Sequence, residues 1–541
     1  MASGDSAPPA EWTAHYAAFH AAYGEVGEAV ASSSSGDEQA RALEEERRWP
    51  RGLSSSSAAS IHPPPSFVGA TVNMTKCLVG SGMLAVPSGL KGSSLSMGIA
   101  GLVATGILSA LGFLAIGRAC MLTRSTSYRE AWMRVGGRAA IVDAVLFFEC
   151  LLSCTGYSIL LGDYAYFGLS GLAPRFGFGV PTREILVGVI SVVFVLPLCL
   201  VAELRALSKT SAIGLLAILY AYLYVVGTAL LGALGGDDGV GGAGAGAGGA
   251  AGVEWFAIRS TTFPTLTTFV SAYVGHFLAP TIWAECLEAA DSPQAAWSTF
   301  RGIVVCSFGL AGASYISFGV AGYLYFGGAV RSNVLTNFPA MDADGNPHIW
   351  TLLCWVLMAL SFALSYPLVF RSARDTAADV LGIPMRVKGP YFSMSPQPSE
   401  KPLPGMRRRS NSGVWDEALW GELVRSRSKG DLQAAGKDGE VAGKEIRRPQ
   451  EAVVGDRMNW RWALFVAVLV LLTNAAGLWM DDIGWLLALR GATLGCPLCF
   501  VLPGLLLLRC GRGAETWRGL SWALVVFGSV FGTLSVYYSV C

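Results

Sequence analysis

The sequence predicts an all-α polytopic membrane protein of about 11 transmembrane helices, built as a 5+5 inverted repeat with discontinuous helices 1 and 6. Three observations lead there. Of 541 residues, 52% are hydrophobic and 14% are charged, where a soluble domain carries about a quarter charged. Apolar stretches of ~20 residues, enough to cross ~30 Å of hydrocarbon, recur along the chain. Two of them, five spans apart, are interrupted midway by glycine, a polar residue and proline.

Residues 1–65 come first and read as a mostly disordered cytosolic tail. Trp12, Tyr16, Phe19 and Tyr23 recur at helical spacing, and the Ser-rich run from Ser54 with Pro63-Pro64-Pro65 reads as extended linker. No apolar run with a cleavage site is seen in this segment, so no cleaved signal peptide is expected.

The transmembrane core, helices 1–8, spans 66–370. Its first crossing, Phe67 to Leu90, carries Gly80-Ser81-Gly82 at its centre and Pro87 just beyond. Glycine weakens a helix and proline removes a backbone donor. An unpaired peptide group in lipid costs several kcal/mol, so such a break persists only where protein covers it or a cavity receives it. Broken helices of this kind present N–H groups to a carboxylate and carbonyls to a cation. Asn73 and Lys76 precede the break, and both are costly at membrane depth without a partner. A glycine-lined packing groove is the plainer alternative.

Further spans follow at 95–122, 139–171, 183–203, 210–234, 261–283, 299–326 and 349–370. The 139–171 span exceeds the bilayer and is expected to tilt. The glycine-alanine run between Gly235 and Gly252 reads as a flexible loop. Span six, 261–283, holds the second interruption, Tyr273-Val274-Gly275-His276-Phe277-Leu278-Ala279-Pro280. Breaks at matching places in two five-helix halves point to an inverted-repeat transporter with a midplane site. Residues 371–459 are polar and rich in Arg, Ser and Pro, including Arg407-Arg408-Arg409, and read as a disordered cytosolic loop. Residues 460–541 supply helices 9–11, with spans at 460–480, 483–508 and 517–539.

Orientation follows Lys and Arg in the short loops. With the N-terminus inside, ten fall on inner loops, among them Arg124, Arg129, Arg134, Arg138 and Arg301. Five fall outside: Lys91, Arg175, Arg183, Arg259 and Arg331. The net charge of +1 gives no reason to expect a nucleic-acid partner. Twelve cysteines are scattered, and Cys496-Pro-Leu-Cys499 lies in an apolar stretch where ordinary packing, not metal or redox chemistry, is expected.

The segment Val72-Asn73-Met74-Thr75-Lys76-Cys77-Leu78-Val79-Gly80-Ser81-Gly82-Met83-Leu84-Ala85-Val86-Pro87 resembles the first-helix signature of the amino acid/auxin permease family, in its sodium-coupled neutral amino acid transporter-like branch and vacuolar relatives. Tyr157 with Gly162-Asp163 resembles the third helix. Leu196-Pro197-Leu198 with Leu204 to Ser211 resembles the fourth-to-fifth junction, Gly275-His276, Pro280 and Glu285 the sixth helix, and Ser365-Tyr366-Pro367 the eighth. The resemblance runs from about residue 66 to 380 and, more weakly, through the last three spans. It implies the fold of the bacterial leucine transporter and amino-acid symport driven by protons or sodium.

It further implies substrate binding by Gly80, Ser81, Gly82, Tyr157, Gly275 and His276, and ion coupling through Asn73, Lys76 and Ser365. Each residue has a plainer role beside this one. Ser81 can bond its own backbone, and Tyr157 can make an interhelical hydrogen bond. His276 can titrate near neutral pH or serve as a structural histidine, and Asp163 reads as a helix cap rather than part of a proton path. Lys76 departs from the sodium-coupled pattern, which has asparagine there; lysine offers donors and charge but no acceptor. Its ammonium is expected to fill the place of sodium, with coupling to protons, the alternative being a lysine that snorkels to the interface.

The expected partners are an amino acid, the lipid bilayer and cytosolic regulators of 1–65 and 371–459, in a plasma or vacuolar/lysosomal membrane. No cofactor beyond a coupling ion is expected. An amino-acid sensor signalling through its tail and loop is the alternative. A membrane enzyme finds no His-Glu-x-x-His, nucleophile elbow or carboxylate cluster in the spans, and the Gly-rich loop lacks the lysine and helix of a phosphate cradle.

Overall fold

A computed structural model describes residues 66–177, 179–200, 211–235, 252–341, 346–383, 386–387, 457–480, 482–511 and 513–540. The tail at 1–65, the glycine-alanine run, the 201–210 junction and most of the 371–459 loop lie outside the described residues.

The first crossing is broken. Helix α1 (Phe67–Leu78) ends, a 3-10 turn covers Ser81–Ala85, and α2 (Val86–Ser93) completes the span. Helix α3 (Leu95–Thr123) returns, and the short α4 (Tyr128–Arg134) forms in the following loop. That short helix starts at an N-cap: Ser127 accepts from the Glu130 N–H, and Glu130 reaches back to accept from the Thr126 N–H, one residue before the cap. The long α5 (Ala139–Phe176) follows, then α6 (Arg183–Ile190) and α7 (Leu196–Leu200), joined by a wide turn at Ser191–Val195. This turn lies just before Pro197, which cannot donate to the regular ladder.

Helix α8 (Ser211–Gly235) leads to the second broken crossing: α9 (Thr262–Ala272), a 3-10 turn at His276–Leu278, and α10 (Ala279–Ala289). Then come α11 (Pro293–Phe326) and α12 (Ile349–Leu381). Helix α12 runs past the boundary drawn at residue 370. Arg371, Arg374 and Asp375 look like loop in sequence. However, Arg374 is buried, donates to the Cys199 carbonyl at 2.8 Å and lies over the Trp462 ring at 5.1 Å. Beyond it, β1 (Arg386–Val387) pairs antiparallel with β2 (Arg457–Met458), so both ends of the long loop are held together.

Helix α13 (Trp460–Trp479) is next. Helices α14 (Ile483–Arg490) and α15 (Leu502–Cys510) are joined through two wide turns around Pro497, and α16 (Arg518–Val540) closes the chain. Among the described residues, nine helices are long and apolar enough to cross a membrane, in addition to the two broken segments. The described cysteines are all unbridged.

Packing divides these helices into two groups. The two broken crossings pack with α3 and α11, whereas α5 packs with α6, α12 and α13. Two crossings touch both groups: α8 lies against α11 and α12, and α14 lies against α9 and α5. Rows of exposed leucine and valine, such as Leu216, Leu219 and Leu223 on α8 or Val526 and Val530 on α16, face outward where lipid replaces water as solvent. Loops assigned to the outer side meet at one end: Lys91 donates to the Val330 carbonyl and Thr261 to the Gly92 carbonyl.

Candidate functional site

The two breaks face each other. Gly82 sits so close to α9 that a Cβ there would lie 2.7 Å from Ala272 Cα. Only glycine permits this approach without moving backbone. Gly275 meets Leu78 of the first break in turn. The expectation of two unwound, facing crossings holds.

What ties them is Tyr315 of α11, which the sequence did not single out. Its hydroxyl lies 2.6 Å from the Leu78 carbonyl and 2.8 Å from the Ala272 carbonyl. These are the last carbonyls of α1 and α9, which a continuing helix would have satisfied. One phenol therefore caps both half-helices. On the other side of each break, Gly80 and Gly275 supply no side-chain cap to the N–H groups of the turns that follow. Ser81 and Gly80 are half-buried, and Gly82 and Gly275 are buried.

The remaining expected residues are distributed unevenly. Tyr157 is half-buried, with its ring stacked on Phe362 of α12 at 5.3 Å. His276 is fully buried and uses both ring nitrogens within the fold. Nε2 lies 2.9 Å from the Ser109 carbonyl, and Nδ1 lies 3.2 Å from the Cys499 thiol. A carbonyl only accepts, so Nε2 carries the proton and Nδ1 takes the thiol hydrogen. His276 thereby braces α3 and the Ile483–Cys510 crossing.

Lys76 reaches α8 and α12: a Cβ on Gly214 would meet Lys76 Nζ at 3.3 Å and Ser361 Oγ at 3.2 Å. Ser361 and the ammonium thus approach the same point of α8; Ser365, one helical turn further on, is half-buried. Asn73 is exposed, on the same helical face as Lys76 but further from the break. Asp163 is not a cap. It pairs with Arg183 at 3.2 Å and accepts from Asn333 at 3.4 Å, stapling α5 to α6 and to the loop before α12. At the outer end a cleft of about 490 Å³ opens between the second half of the first crossing and the first half of the sixth, lined by Ser88, Lys91, Thr265, Thr268, Asp482 and Trp485.

A second buried feature also went unforeseen. Glu149 of α5 and Arg490 of α14 form an ion pair inside the membrane-crossing region, with side chains 2% and 11% exposed. The signal was available, because an isolated charge inside an apolar span is costly. The partner was not, since the two are far apart in the chain.

Two interrupted helices that meet at bare peptide groups, inside a bundle of long apolar helices, define a multi-pass membrane protein of transporter type. Residues 64–541 match the family described as transmembrane amino acid transporter protein, and the chain belongs to that family. It is similar to vacuolar amino acid transporter 7 of Saccharomyces cerevisiae, 23% identical over 82% of this chain and 88% of that protein. It is also similar to amino acid transporter AVT6E of Arabidopsis thaliana, 26% identical over 61% of this chain and 65% of the relative. Sodium-coupled neutral amino acid transporter 7 of Rattus norvegicus is 21% identical over 87% and 86%. Among solved structures, a variant of the Eremococcus coleocola manganese transporter aligns over 90% of both chains at 12% identity and a TM-score of 0.46. At that score the likeness carries no weight.

Proposed function

We propose that the chain is a secondary active transporter that moves neutral amino acids across a plasma or vacuolar/lysosomal membrane, coupled to protons rather than sodium. The observation that carries the transport reading is the meeting of the two breaks at Gly82 and Ala272, with both carbonyl ends held by Tyr315. The uncapped N–H groups after Gly80 suit the substrate carboxylate, and nearby carbonyls suit its ammonium.

The coupling ion is argued from Lys76. Its ammonium lies against Gly214, which Ser361 also approaches, a wall between the first, fifth and eighth crossings. A fixed cation there repels a second one, about 1 kcal/mol in water at 4 Å and several-fold more where water is excluded. Names among the relatives point both ways, one vacuolar and one sodium-coupled, so the local chemistry decides the proposal.

The test is counterflow in proteoliposomes with a panel of amino acids, followed by uptake under a sodium gradient and, separately, a pH gradient. Uptake that rises with the pH gradient and ignores sodium supports the reading. A steep sodium dependence at fixed pH refutes the proton assignment. No flux through the purified protein refutes transport and leaves sensing, through the tail and the 371–459 loop, as the function.

A further inference from the structure

The Glu149–Arg490 pair has an unusual geometry. Arg490 directs two donors at one carboxylate oxygen: Nε lies 2.7 Å from Glu149 Oε1, and Nη2 donates to the same atom. The other oxygen, Oε2, is buried and has no hydrogen-bond partner among the described residues. A carboxylate has lone pairs for about four donors. Here one oxygen is held by the guanidinium, and the other, buried and without a donor, is the atom with room to receive a proton.

The pair also lies at a junction. Glu149 stands on α5, in the group with α12 and α13, and Arg490 ends α14, which packs on α9 in the other group. Gly491, the next residue, abuts the Thr267 carbonyl and Ser271 of α9. Contacts between groups of this kind must be made and released in step with the driving ion if access is to alternate. The titratable groups within electrostatic reach are Cys150, Cys154 and Tyr157 on α5, Tyr315 from α11 and Cys499 between α14 and α15, with His276 behind Cys499 and Tyr366 of α12 against Cys154. None of these is a second carboxylate or a permanent cation, so the exchange of one proton decides the charge of the pair.

We propose that Glu149 carries the coupling proton and that Arg490 is its positioning partner. Ionised Glu149 holds α5 to the crossing that contains Arg490, and a proton on Oε2 releases the hold. Lys76 remains the fixed charge. This inference rests on the proton-coupled reading above.

The experiment uses the full chain in proteoliposomes and whichever neutral amino acid gives the largest wild-type counterflow. Two activities are measured: accumulation driven by a pH gradient, and counterflow at several pH values equal on both sides. Glu149→Gln is expected to lose accumulation at least tenfold while keeping counterflow that no longer varies with pH. The double variant Glu149→Gln with Arg490→Gln, which leaves no uncompensated buried cation, is expected to show the same separation. Accumulation at the wild-type level in either variant overturns the assignment and leaves proton coupling intact. A wild-type protein that exchanges but ignores the pH gradient refutes proton coupling and this role with it. Loss of both activities in folded variants, or failure of both variants to fold, marks the pair as a structural brace and also overturns the proposal.

Discussion

Replacing Tyr315 by phenylalanine isolates the atom that holds the two breaks together. The ring keeps its place between Tyr273 and the surrounding core, so almost no cavity is made. What disappears is one hydroxyl within 2.8 Å of two buried carbonyls. An orphaned buried acceptor costs about 1–3 kcal/mol, and a hydroxyl has a single proton to share between the two. The Leu78 carbonyl also accepts from the Gly80 N–H, so the expected loss is that of one acceptor, about 1–3 kcal/mol, or roughly 5- to 150-fold in an equilibrium constant. Denaturant unfolding in detergent measures it, with Tyr325→Phe as control, since Tyr325 makes ring contacts but, among the described residues, no hydrogen bond through its hydroxyl. Counterflow should fall more than tenfold in Tyr315→Phe, because the paired half-helices splay. If the two variants unfold and transport alike, Tyr315 does not cap the breaks.

Other substitutions test separate parts of the site. Gly82→Ala forces a methyl against Ala272 backbone and should destabilise by about 1–3 kcal/mol; Gly80→Ala, whose nearest contact is 4.0 Å away, should unfold like wild type. Equal melting of the two would remove the close-approach argument. Lys76→Asn exchanges a donor-only cation for an amide oxygen able to ligate an ion. Its uptake is expected to become sodium-stimulated several-fold, and a folded variant indifferent to sodium would show that Lys76 does not occupy an ion's place. Asp163→Asn weakens the staple to Arg183, whose side chain is 17% exposed, and should cost about 1–3 kcal/mol in unfolding while counterflow persists. A selective loss of pH-driven uptake in that variant would instead return Asp163 to the proton path.

The spans and both breaks were legible because each depends on local facts. Apolar length sets a crossing, and glycine with proline sets where its ladder fails, so Leu95–Thr123 or Trp460–Trp479 match expectation to within a residue or so. The end of α12 was not legible, because Arg374 stays helical by virtue of Cys199 and Trp462 on other crossings. The site divides along the same line. Gly80, Ser81 and Gly82 announce an unwound backbone by composition alone. Which wall His276 braces, or that Ser361 and Lys76 approach the same point of α8, depends on how packed helices are turned toward one another. Tyr315 was invisible for a stronger reason. Its role exists only once two distant chain ends have come together.

In the 5+5 repeat that the sequence predicts, the two buried charge devices fall at related places. Lys76 lies where the first, fifth and eighth crossings meet, with Gly214 and Ser361 around it. Adding five to the first and fifth, and subtracting five from the eighth, gives the sixth, tenth and third. That second wall is where Arg490 of the tenth pairs with Glu149 of the third, next to Ser271 of the sixth. By that count the two bridging crossings, α8 and the one containing Arg490, each border a buried charged group. One wall holds Lys76 on the first crossing; the other holds an ion pair whose carboxylate is, in the proposal above, the site of the coupling proton. A fold that must favour one opening and then the other needs such an asymmetry, because two identical latches would respond to the same ion together and bias neither state.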